Sequence, residues 1–160
     1  MIAQHIAQHL RNLYFGGNPT LVNMKDTLDG LSWQQAVQQV DSFNTIATLV
    51  YHTSYYVTAL IGVLRGEPLT AKDKYSFDHP PITSQEEWDS FVQQRLDDVE
   101  VFADLIEKLP DDKIWEPFIE PKYGNYYRNF NGVIEHTHYH LGQIVLIKKL
   151  VTSSAFPLAY

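Results

Sequence analysis

At 160 residues, 44% hydrophobic and 19% charged, the chain has the size and make-up of a single globular domain, residues 1–160, with a substantial core. A net charge of −7 with scattered Lys and Arg excludes the basic patch that duplex nucleic acid requires. The lack of cysteine excludes disulfides, thiolate metal ligands and a protein thiol nucleophile, and a cytoplasmic address is expected.

Nothing in the chain reaches the ~18 uninterrupted apolar residues of a spanning helix, so no membrane span is expected. The opening MIAQHIAQHLRNL has no basic stretch before an apolar run and no small-residue cleavage site, and reads as mature protein. Ile2, Ile6, Leu10 and Leu13 recur at helical spacing over residues 2–15, and Gly16-Gly17-Asn18-Pro19 breaks that helix. Ser32 is an N-cap for a short helical turn through Trp33 to Gln39. Asp41 or Ser42 opens a long helix that runs to about Arg65 and stops at Gly66. Residues 66–82, GEPLTAKDKYSFDHPPI, hold three prolines and read as a connection, long for two antiparallel neighbours.

Thr83 or Ser84 with Glu87 has capping-box spacing and opens a helix to Leu109. Pro110 starts another short helical turn. PKYGNYYRNFNG then reads as extended or looped, and a last helix covers about Asn131 to Val151. No repeat of 20–50 residues is present. Four long amphipathic helices with one long crossover predict an all-α fold, a four-helix bundle.

The last helix carries HTHYH, residues 136–140. At ~100° per residue, positions four apart share a face and positions two apart point nearly opposite ways. His136 and His140 therefore lie together with Val133, Gln143, Ile147 and Leu150, the expected buried stripe. His138 falls with Asn131, Glu135 and Lys149 on a mostly polar face. Spacing alone is weak evidence, since His5 and His9 are also four apart, at the edge of an apolar face as a solvated flank. His79, in His-Pro-Pro, is expected to be exposed. His52 sits in LVYHTSYYVTAL among Leu49, Tyr55, Tyr56, Ala59 and Val63. A buried imidazole needs a partner or a neutral form, and alone His52 reads as a core histidine. Beside an inward pair on another helix it reads as the third ligand of a divalent metal.

GVIEHTHYHLGQIVLIKKL with the upstream LVYHTSYYV resembles the DinB/YfiT-like superfamily of metal-binding four-helix bundles. The likeness extends over essentially the whole chain, in helix count, the long connection and the His…His-x3-His pattern followed by Gly-Gln. It implies His52, His136 and His140 as metal ligands, with His138 outside the set. Leu141 stands where the commoner motif has a basic residue. Because the family includes bacillithiol- and mycothiol-dependent transferases, the resemblance implies a low-molecular-weight thiol activated at the metal, and a homodimer.

Three protein ligands leave a position for water or substrate, which a closed structural site does not. A zincin is excluded, because Thr137 stands where His-Glu-x-x-His needs Glu. Glu-x-x-His motifs on two helices, which a di-iron bundle needs, are missing as well. Imidazole ligands suit several metals; zinc is expected first and nickel second. No carboxylate on the ligand face presents itself as a general base. Gln143, one turn beyond His140, either orients a ligand as an outer-sphere group or packs between helices. Tyr55, Tyr56 and Tyr139 line a cavity or simply pack, and Arg128 meets an acidic substrate or is a solvated loop residue. Trp33, Trp88 and Trp115 read as core or interface anchors. The functions left open are a metal-dependent transferase or hydrolase acting on a small molecule, a non-catalytic metal-binding stress protein, and a helical interaction module.

Overall fold

Helix formation follows the apolar periodicity, and each helix starts where a side chain can accept its free N–H groups. The structure, a computed structural model, describes residues 1–153. Residues 154–160 of the expected domain lie outside them. Six α-helices are described: α1 Ile2–Phe15, α2 Met24–Leu28, α3 Trp33–Val37, α4 Ile46–Leu64, α5 Gln85–Glu107 and α6 Tyr126–Thr152. Single 3₁₀ turns lie at Asp73–Tyr75, Lys113–Trp115 and Pro121–Tyr123. Among the described residues the fold is all-helical, without a β-strand.

The four long helices pack in a ring: α1 against α5 and α6, and α4 against α5 and α6. Their shared core includes Leu10, Leu13, Leu49, Val57, Trp88, Phe102, Ile106, Phe130 and Ile144, each essentially withdrawn from water. Helix α4 is 19 residues long, with mean hydropathy 1.2 over its most apolar window. More than half of that window (56%) is buried within the fold, so its apolarity is that of a core helix.

The short helices are tied to this ring by polar side chains. Ser32 and Gln35 form a reciprocal capping box on α3. Gln85 Oε1 accepts from Trp33 N at 2.9 Å, and its Nε2 donates to Leu31 O at 3.2 Å. Lys148 Nζ of α6 donates to Thr27 O and Asp29 O at 2.7 and 2.8 Å, satisfying carbonyls at the end of α2.

Several boundaries differ from the expected ones. Helix α4 begins at Ile46 and not at Asp41 or Ser42, because Thr45 Oγ1 accepts from Thr48 N while Asp41 has φ of 48°. Helix α6 begins at Tyr126, five residues before the expected Asn131, within a segment read as loop. Asn125 caps it by accepting from Arg128 N at 2.9 Å, and Phe130 is buried in the first turns. That burial outweighs the poor helix propensity of Asn and Gly here. Helix α2, which was not expected, is five residues long and capped by Asn23. Trp88 is buried, Trp33 half-buried, and Trp115 is 55% exposed, stacked on Tyr127 instead of anchoring the core.

Candidate metal centre

Helices α4 and α6 pack side by side, and that contact brings His52 to the pair on α6. His136 Nε2 lies 3.0 Å from His52 Nε2 and 3.0 Å from His140 Nε2. The three form a group that can hold a metal ion, with one ligand nitrogen from each, all within 4.8 Å of one another. His52 and His140 are buried, at 5% and 9% exposure, and His136 is half-buried.

The other ring nitrogens decide what these close contacts mean. His52 Nδ1 lies 2.8 Å from Ser76 Oγ, and that hydroxyl donates to Asp73 O at 2.7 Å. With the serine proton committed there, His52 Nδ1–H is the donor to Ser76, and its Nε2 presents a lone pair. His140 Nδ1 donates to Gln143 Oε1 at 2.7 Å, so its Nε2 also presents a lone pair. His136 has a single proton when neutral and cannot bridge both neighbours. With that proton on Nδ1, lone pairs face each other across both 3.0 Å contacts; with it on Nε2, one proton is left between two lone pairs. A shared cation removes that repulsion. Nitrogens around a tetrahedral zinc at ~2.0–2.1 Å stand about 3.3 Å apart, close to the two 3.0 Å spacings made by His136.

A proton is a poor candidate for that cation at neutral pH. Burial, then the neighbouring His140 and His52, pushes the His136 imidazole down to about 4. Burial and then His140 also lower His52, against an opposing pull from Asp73. The donor set, three imidazoles whose ligand nitrogens lie within 4.8 Å of one another, fits a borderline divalent metal.

Around the histidines the walls are aromatic. Phe77 stacks on His52 with ring centres 4.1 Å apart. Tyr56 meets His52 and His136 edge-on at 5.5 and 5.2 Å, and its hydroxyl donates to Asp73 Oδ1. Burial and the Asp73 carboxylate push that phenol up to about 12. Tyr139 is 66% exposed and packs edge-on to His140 at 4.9 Å, outside the cavity. Tyr55 lies further off, bonded through its hydroxyl to the backbone of Lys72.

The remaining histidines stay out of the group. His138 is half-buried rather than on an open polar face, its ring 6.0 Å from His9. His79 is also half-buried, not exposed, set between Tyr51 and Phe91. The deepest stripe of α6 runs through Phe130, Thr137, Leu141 and Ile144, rotated from the expected one. The rotation leaves His136 at the margin of the core.

Sequence reasoning missed Ser76, Asp73 and Phe77, which were passed over within the 66–82 connection. The 3₁₀ turn Asp73–Tyr75 folds this connection over the histidines. It brings in the carboxylate that the ligand face itself lacks. Nothing in KDKYSF marks Ser76 as an imidazole partner, since the contact joins residues 24 apart.

A sequence model of the DinB superfamily matches residues 20–144, a span that holds all three histidines. The chain belongs to the DinB superfamily. Comparison with curated proteins returned no match, and neither did comparison with solved structures. Membership agrees with the all-helical fold, in which the three-histidine group that could hold a metal ion lies between α4 and α6.

Proposed function

We propose that this protein is a metal-dependent enzyme of the DinB superfamily, a four-helix bundle acting on a small thiol or a water molecule as transferase or hydrolase. His52, His136 and His140 hold one divalent ion, zinc first and nickel second. The observation that carries this reading is the convergence of three Nε2 atoms, with the His52 and His140 rings oriented from behind by Ser76 and Gln143. The ion supplies Lewis acidity, which makes a thiol or water nucleophilic near neutral pH.

The chain's own residues do the rest. Ser76 and Gln143 keep two imidazoles in the ligating tautomer. Phe77 and Tyr56 shield the site from bulk water, which strengthens electrostatics within it. The Tyr56 hydroxyl and Asp73 Oδ1 form a hydrogen-bonded pair beside the histidines that can carry a proton outward. A homodimer, which rests on the family likeness, and a cytoplasmic address, which rests on the lack of cysteine, are part of the same reading.

Metal analysis of the purified protein and its alanine variants tests the site. We expect near-stoichiometric metal in wild type, a sharp loss in His52→Ala, His136→Ala and His140→Ala, and little change in His138→Ala. Equal losses from all four variants would overturn the assignment of faces, and a metal-free wild type would overturn the reading. A screen of small thiols against electrophilic substrates then tests turnover. Metal held without turnover would point to the non-catalytic metal-binding protein instead.

A further inference from the structure

A cavity of about 540 Å³ opens directly beside His136 and Tyr56. That volume lies within the range of small-molecule sites, ~300–1,000 Å³. Its walls are Leu60, Leu69, Phe118 and Val133, and two cations, Lys122 and Arg128, line it as well. No carboxylate lines it, in a chain of net charge −7. The three other described cavities each include acidic residues, such as Asp26 and Asp89, Glu67 and Asp78, or Glu86 and Glu87. Lys122 is partly engaged by Glu120 at 2.9 Å. Arg128 has no ion pair among the described residues.

The floor of the cavity is a single face of α6. Arg128, Gly132 and His136 stand at i, i+4 and i+8, and all three line it. At ~1.5 Å per residue the cation and the metal-site histidine are about 12 Å apart along the helix axis. Between them Gly132 has no side chain, and a Cβ built there would meet nothing within 4 Å. A mid-helix glycine is destabilising against alanine, and no crowding at this position requires it. What its absent side chain leaves is an open trough from Arg128 to His136. At the far end the Arg128 side chain lies across Gly124, where a Cβ would stand 2.8 Å from Arg128 Cδ and φ is 74°. Gly124 therefore lets the arginine lie where it does.

We propose that this trough binds a small organic anion: a carboxylate at Arg128, an apolar body over Gly132 between Leu60, Leu69, Phe118 and Val133, and the distal end beside His136. This rests on the metal-site reading for what the distal end meets, but not for the recognition of the anion. Arginine suits a carboxylate because its planar fork donates two parallel hydrogen bonds. Lys122 adds charge at the rim. The ligand is thus selected at one end by charge and along its length by apolar contact, with its reactive end delivered to the histidines.

The test uses 3-phenylpropanoate and its uncharged amide as probes, with binding to full-length protein measured by calorimetry, metal-free and zinc-loaded, and zinc content measured alongside. We expect wild type to bind the carboxylate at least tenfold more tightly than the amide in both states. Arg128→Gln should remove that preference and leave zinc content unchanged. Gly132→Leu, which projects into open space, should weaken both probes more than tenfold with the protein still folded and zinc-loaded. A carboxylate preference seen only with zinc and untouched by Arg128→Gln would put the anion on the metal and overturn the proposal. Equal affinity for the two probes would overturn it too. A wild type that holds no zinc yet keeps its Arg128-dependent preference would sink the metal reading alone.

Discussion

Ser76 is a small residue with a large assigned task. Its hydroxyl accepts a hydrogen bond from His52 Nδ1–H and donates one to the Asp73 carbonyl, so His52 is left with one orientation and one free lone pair. Removing such an outer partner typically lowers metal affinity ~10–100-fold, because the ring is freed to rotate and to change tautomer. Ser76→Ala is therefore expected to weaken zinc binding by about that factor in a competition assay against a chromogenic chelator. Ser76→Thr, which keeps the hydroxyl, should recover most of the loss. An unchanged zinc affinity in Ser76→Ala would show that the Ser76 contact does not hold the ring. The contrast between His52 and Ser76 also shows what can be read from a sequence. His52, His136 and His140 are legible because a regular helix converts spacing into direction. Ser76 is illegible because it sits in a connection whose path is set by what it packs on, and no period links it to His52.

At the scale of elements, α1 and α5 are joined on the outside of the ring by one arginine. Arg11 Nε, Nη2 and Nη1 reach Glu100, Asp104 and Glu107 at 3.0, 2.5 and 2.9 Å. The carboxylates stand on successive turns of α5, so a single guanidinium neutralises a stripe of like charges. Its partners are about half exposed, and exposed pairs contribute only ~0.2–1 kcal/mol each. Arg11→Met is expected to cost roughly 1–2 kcal/mol at low salt, since it also leaves three carboxylates repelling one another. At 1 M salt, with a screening length of ~3 Å, most of that cost should vanish. Urea unfolding of both proteins at low and high salt measures it; a salt-independent loss would mean that Arg11 acts through its apolar stem. Element boundaries were legible in the same uneven way. Ser84 opens α5 as its spacing with Glu87 predicts. The sequence hides the start of α6 because YGNYYRNFNG is rich in residues that usually end helices. Local propensity yields there to burial of Phe130 and to Asn129 Nδ2 donating back to Tyr123 O and Asn125 O.

For the whole molecule, an ion held by His52 on α4 and by His136 and His140 on α6 is a cross-link between two helices of the ring. A ligand that binds only the folded chain raises its stability by mass action, about 2.7 kcal/mol at a hundredfold excess over Kd. Zinc is therefore expected to raise the melting temperature of wild type at neutral pH, and to leave His52→Ala almost unmoved. The pH dependence follows from the direction of the imidazole shifts. In the unfolded chain these histidines take up protons near ~6.5. In the folded protein burial holds His136 down to about 4, and His52 is lowered too. As pH falls from about 6.5 toward 4, the unfolded state binds protons that the folded site resists, so the metal-free protein should lose stability across that window and level off below it. The same resistance keeps His136 and His52 neutral and able to ligate, so the zinc-dependent gain should outlast the ~6.5 at which an unperturbed imidazole protonates and fade as pH approaches about 4. An unperturbed site would lose it below ~6.5. Melting temperatures of wild type, His136→Gln and His52→Ala from pH 7.5 to 4.5, each with and without excess zinc, decide the matter. The metal-free acid loss should be smaller in His136→Gln, and the zinc-dependent gain smallest in His52→Ala. A full zinc gain in His52→Ala would confine the ion to α6 and leave the two helices unlinked.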